Sequence, residues 1–258
     1  MASQSPAVNA RRVVPISSAR KEAGAMSPFK AFVNKYFYFS MSLLFAALVV
    51  WGFSRTINGS LIHATPPRPL LLWIHGAIFA SWVAFFIAQS TLVRVHKVNW
   101  HRFFGWFGAG LATVMVPLGV AIAIVMARFD TAQLHLSDAD AFLAIPFYGM
   151  TAFAVIIALA IYWKKRPEFH RRLMFVGTCG LMDAALARFD FIFDHHIFFL
   201  AVDLLIALGV IRDLVIDRRV HKVYLYALPA IIVGQNLAIY LWRINPPWWR
   251  TITHTILG

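Results

Sequence analysis

LLLWIHGAIFASWVAFFIAQSTLV, Leu70 to Val93, decides the fold: 24 consecutive residues contain no Asp, Glu, Lys or Arg. As a helix rising about 1.5 Å per residue, this stretch outreaches the roughly 30 Å hydrocarbon core of a bilayer. Comparable apolar runs lie at 36–53, 104–127, 142–163, 173–190, 196–212 and 223–242, joined by short polar loops. The chain is 60% hydrophobic and only 14% charged, more apolar residue than one soluble core of 258 residues would use. These features predict an all-α, polytopic membrane helical bundle of about seven transmembrane helices. The runs are continuous and do not alternate with period two, which excludes an outer-membrane β-barrel.

Basic residues set the expected orientation. With the N-terminus inside, the segments 1–35, 94–102, 164–172 and 212–222 hold 18 of the 24 Lys and Arg. That bias predicts N-in and C-out, placing the formal charge of +13 on cytoplasmic loops opposite anionic lipid headgroups. The high isoelectric point is therefore a topology signal, and nucleic acid is not expected as a partner. Residues 1–35 read as a disordered or surface-lying basic cytoplasmic tail, 36–242 as the transmembrane bundle and 243–258 as an external C-terminal tail. No short h-region with a small-residue cleavage site appears, so the N-terminal tail is expected to be retained. Cys179 is the only cysteine, which removes an intrachain disulfide and a Cys-based metal centre. Trp248, Trp249 and Arg250 read as an interfacial anchor.

Three ionisable residues, His75, Asp183 and Asp203, interrupt the apolar runs at similar depth, about 7–11 Å below the outer face by helical rise. Ionisable groups at that depth define the default site, an outer-leaflet polar cluster of His75, Asp183, Arg188 and Asp203. Three readings stay open for it. Arg188 with Asp190 or Asp203 would make a structural ion pair. His75, Asp183 and Asp203, joined by His195 and His196, would make a divalent metal site. The same carboxylates and imidazole would also serve a proton or cation relay.

A second pattern recurs where runs begin at the basic side: HRFFGWFG at His101 to Gly108, HRRLMFVG at His170 to Gly177 and VHKVYLYAL at Val220 to Leu228. Anchoring at the headgroups is the favoured reading for these histidines. The alternative is a haem b held by His101 and His170, with Arg102, Arg171 and Arg172 pairing with its propionates or with lipid phosphates. Small residues at spacing four, Gly76, Ala80, Ala84 and Ala88 against Gly105, Ala109, Thr113, Pro117 and Ala121, predict a close contact between the second and third runs. Pro117 and Pro146 are expected to kink their helices.

WIHGAIFASW at 73–82, Gln89 with LVR at 92–94, WHRFFGWFGAGL at 100–111, RPEFHRRLMF at 166–175, Ala187-Arg188 and RDLVIDRRVHKVY at 212–224 resemble an uncharacterised bacterial multi-pass inner-membrane protein family with HRxxGW and HRRLM motifs. The resemblance covers about 70–224. It implies a multi-pass bundle in the bacterial inner membrane and no particular reaction. The function classes left by sequence are an integral inner-membrane protein with an ion, metal or proton-linked polar site, a b-type haem or metal-dependent membrane enzyme, and a non-catalytic accessory subunit of a membrane complex. The absence of HExxH removes the most familiar helical zinc-protease signature.

The charge bias generates a direct test. A cysteine placed at Lys165 is expected to react with a membrane-impermeant maleimide only after the cytoplasmic face is opened; labelling in intact cells overturns the orientation.

Overall fold

The structure, a computed structural model, describes residues 27–258, and among them it is entirely helical. The first 26 residues of the expected tail lie outside the described residues. Helix α1 (Pro28–Ser54) begins earlier than the apolar run suggests, because Ser27 accepts the Lys30 N–H and Pro28 takes the first helical position, where a missing N–H costs nothing. A single π-turn (Asn58–Ile62) leads to α2 (Leu70–Arg94) and α3 (Val98–Leu134). A short α4 (Ala139–Phe142) abuts α5 (Ala144–Tyr162). There follow α6 (Pro167–Gly180), α7 (Asp183–Leu186), α8 (Asp190–Asp194), α9 (Phe198–Asp217), α10 (Lys222–Ile244) and α11 (Pro247–Leu257).

Five stretches are long and apolar enough to cross a membrane: α1, α2, α3, α4 with α5, and α10. Only 11% of the most apolar part of α2 is buried within the bundle, as a helix whose solvent is lipid should be. The expected span at 173–190 is not one helix. Gly177 and Gly180 weaken its end, Leu181 and Met182 bond three residues back to Thr178 and Cys179, and the Asp183 carboxylate takes the Ala184 N–H at 2.6 Å. The segment therefore continues as the fragments α7 and α8. The span at 196–212 is continuous from Phe198 as α9, which carries Asp203, Arg212 and Asp213.

Packing departs from the expected small-residue contact. Gly76, Ala80, Ala84 and Ala88 are all exposed, as are Thr113, Pro117 and Ala121. The α2–α3 contact uses the other face, where Phe79, Trp82 and Phe85 meet Gly108, Ala112, Met115 and Gly119. Aromatic bulk on α2 needs small residues opposite it on α3, so one-sided small-residue stripes are not required. Helix α3 runs unbroken through Pro117, while Pro146 sits in the first turn of α5, where it interrupts no helical bond. The main core gathers Phe45, Phe86, Phe175, Val176 and Ile206 from α1, α2, α6 and α9. The C-terminal segment is not a loose tail: α11 lays Trp249 against Leu143 and Ala144, and Arg128 donates to the Ile256 carbonyl at 2.9 Å.

A buried charge network closes the basic end of the bundle. Arg172 is 1% exposed and forks onto Asp213, which is fully buried, with Nε to Oδ2 at 2.8 Å and Nη2 to Oδ1 at 2.7 Å. Its Nη1 donates to the Glu168 carbonyl and carboxylate. Arg212 donates to Asp213 at 2.9 Å and to Asn34 on α1. Asp213 joins α6 to α9 through Arg172, and Arg212 joins α9 to α1 through Asn34.

Removing one partner of this fork takes away the two-pronged bond but leaves Arg172 with Glu168 and Asp217, or Asp213 with Arg212, so the loss falls below the about 3–5 kcal/mol of a fully stranded charge. Asp213→Ala and Arg172→Ala are each expected to lower the thermal midpoint of the detergent-solubilised protein, and Arg172→Met with Asp213→Leu to lose less than the sum of the two single losses, with part of the loss kept because buried Arg212 also bonds Asp213. A double-variant loss equal to the sum of the two single losses would contradict a coupled pair.

Candidate functional site

Three polar regions contain the candidate residues. The first surrounds the break between α6 and α7. A small internal cavity there is lined by Tyr148, Gly149, Asp183, Val202 and Gln235, so the broken backbone faces a space within the protein. Gln235 on α10 donates to Asp203 on α9 at 3.1 Å. The Tyr148 hydroxyl donates to the Ile231 carbonyl at 2.9 Å and stands within electrostatic range of both Asp183 and Asp203. Among the described residues neither carboxylate forms an ion pair; their bonds are to the Ala184 N–H and the Gln235 amide.

The other members of the expected outer cluster are elsewhere. His75 stacks on Phe79 of its own helix at 4.0 Å between ring centroids, with its Nδ1 unpartnered. Arg188 reaches back to α1, donating to Thr56 at 3.2 Å and lying over Phe53. Its expected partner Asp190 pairs instead with Arg55 at 2.7 Å on the exposed rim. These two corrections have one cause: fragmentation of the segment turns Arg188 and Asp190 toward the end of α1, away from α9. His195 is exposed, with Nδ1 on the Phe191 carbonyl at 2.8 Å, while His196 adopts left-handed backbone and faces Trp242. No three His, Cys, Asp or Glu side chains among the described residues group as a metal site. His75, Asp183, Asp203, His195 and His196 therefore do not form the ligand set that their sequence depth suggested.

The third region lies at the basic end. His101 on α3 and His170 on α6 do come together, with ring centroids 6.2 Å apart and planes crossed at 75°. The His170 Nδ1 is bonded to the Ala160 carbonyl at 2.9 Å, and the His101 Nδ1 is buried without a partner. Of the arginines expected around them, Arg172 is engaged by Asp213, Glu168 and Asp217, and Arg171 pairs with Glu168 at 2.5 Å. Arg102 alone of the three stays exposed and without a carboxylate partner among the described residues. His221, from the third copy of the pattern, acts differently. Its Nδ1 caps α10 by accepting the Val223 N–H, and its ring packs on Phe169. Burial, and next the positive charge of Arg172, hold that imidazole below the usual histidine range, consistent with a neutral acceptor.

Sequence reading missed Gln235, Tyr148 and Asp213. Gln235 had a legible signal, an amide in the middle of an apolar run; Tyr148 had none, since Tyr is ordinary in a membrane helix. No protein-family model matches this chain, and no curated protein or solved structure is significantly similar to it.

Gln235 supplies the one side-chain bond that Asp203 accepts among the described residues. Gln235→Leu is expected to destabilise the protein by about 1–3 kcal/mol by leaving that carboxylate unsatisfied. An unchanged thermal midpoint would show that Asp203 is satisfied without it.

Proposed function

We propose that this chain is a bacterial inner-membrane protein of seven membrane segments, N-in and C-out, in which Asp183 and Asp203 form a proton-binding site serving a proton-linked role. Its multi-pass character rests on five helices long and apolar enough to cross a membrane. The basic loops at 94–102, 164–172 and 212–222 face anionic headgroups in this arrangement. The fragments α6 to α8 together make one crossing and α9 another.

The observation that carries the proton reading is the broken helix whose break presents a carboxylate to an internal cavity. Interrupted membrane helices are a recurrent way to build ion and proton sites within a bilayer, because the break supplies unpaired backbone groups and a side chain at one depth. Asp183 is the first residue of α7, three residues beyond the end of α6. Two carboxylates near one tyrosine, with no arginine or lysine bonded to either, are stabilised in low dielectric by taking up a proton. Gln235 orients Asp203, and Tyr148, tied to Ile231, shapes the cavity wall. A divalent-metal role draws less support, since the histidines stand outside this cluster.

Infrared difference spectroscopy of the reconstituted protein is the direct measurement. A carbonyl stretch of a protonated carboxylic acid is expected to titrate with external pH and to disappear in Asp183→Asn, while that variant keeps its helical content. A band that is absent in the wild type, or unaffected by both Asp183→Asn and Asp203→Asn, overturns the proposal.

A further inference from the structure

The basic-end histidine pair carries a separate inference that does not depend on the proton site. Residues that merely anchor helix ends direct their polar atoms outward to the headgroups. His101 and His170 are instead half-buried and lie side by side from two different helices. Sixty-nine residues separate them in the chain, and the two HR motifs converge only through the tertiary fold.

Their spacing discriminates between kinds of metal centre. With metal–nitrogen bonds of about 2.0–2.1 Å, two imidazoles on opposite sides of one ion have ring centroids about 6.3 Å apart, whereas a tetrahedral angle draws them to about 5.2 Å. The observed 6.2 Å fits opposite, axial ligation. Crossed ring planes are no obstacle, since each imidazole rotates about its metal bond. A bare ion in this position would need further protein ligands, and no third His, Cys, Asp or Glu among the described residues groups with the pair. An iron porphyrin brings its own four in-plane nitrogens and needs two axial ones.

The surroundings suit that cofactor. The bond from His170 Nδ1 to the Ala160 carbonyl assigns the proton to Nδ1 and leaves Nε2 with a free lone pair, the arrangement that orients metal-binding histidines. His101 lies against the backbone of Gln89, whose side chain is 8% exposed with both amide atoms unpartnered. The buried Nδ1 of His101 is likewise without a hydrogen-bond partner, and buried polar atoms normally find one. One turn along α3 on the same face, Gly105 has no neighbour within 4 Å of where a Cβ would stand. Arg102, exposed and unpaired among the described residues, is positioned at the rim for a propionate.

We infer that His101 and His170 form a haem b site, binding the iron from opposite sides at the basic end of the bundle.

The test uses the full-length protein purified in mild detergent from haem-replete cells. Expected are about one haem per chain by the pyridine haemochrome assay and a six-coordinate, low-spin ferric signal in visible and electron paramagnetic resonance spectra. His101→Ala and His170→Ala should each lose the low-spin signal, Arg102→Ala should keep it, and added imidazole should restore it in His170→Gly. Colourless wild-type protein, bound haem that is high-spin, or a low-spin spectrum surviving in both alanine variants overturns the site. Should either alanine variant fail to fold, the wild-type haem content and spin state decide the matter alone.

Discussion

Arg172 and Asp213 are both withdrawn from solvent, and a buried charge needs paired, hydrogen-bonded partners to stay there. A two-pronged bond between them, with Arg212, Glu168 and Asn34 completing the donors and acceptors, constrains where α1, α6 and α9 begin or end. Tyr38 lies beside the same cluster, under the guanidinium groups of Arg171 and Arg212. Above it, Gly209 admits the Tyr224 side chain so closely that a Cβ there would collide with the hydroxyl. The aromatic core of Phe45, Phe86 and Phe175 then follows, with helix positions already determined by the charges below. Lipid supplies little hydrophobic force between helices, so a directional polar lock has more influence over this fold than it would in water.

That lock also has consequences for the histidines. It consumes Arg172 and, through Glu168, engages Arg171, while the residue before them in the chain, His170, points to the other side of α6. One short motif therefore serves two purposes on two helix faces: RR closes the charge network, and H meets His101. The Asp183 cavity is separate, beyond the end of α6. Both regions rely on α6, one on its first turns and one on its last. A break at Gly180 leaves the lower half of that helix packed against Ile156 and Ile157 of α5 while freeing the upper half to adopt a different path.

Membrane class, helical content and the approximate placement of the long spans were legible in the chain because each depends on local quantities, the length and continuity of an apolar run and the residues flanking it. Asp183 and Asp203 were visible for the same reason: a carboxylate within such a run stands out whatever it touches. What surrounds them was not. Asp203 is met by Gln235 from α10, thirty-two residues on, and His75, at matching depth, lies on a helix that never brings it to them. Depth is one coordinate of three, and helix rotation and neighbour choice supply the others.

The amino-acid sequence by itself determined that the chain is a membrane bundle and which residues are too polar for their surroundings, since the cost of placing a group in hydrocarbon is a property of that group. Tertiary structure alone decided which of them meet. Arg172 finds Asp213 forty-one residues away, Arg188 turns to Thr56 and not to Asp190, and the small-residue stripes of α2 and α3 face outward while Phe79, Trp82 and Phe85 make the contact. Pairing depends on the azimuth of each helix about its axis and on the breaks that reset it, and those follow from packing between segments distant in the chain.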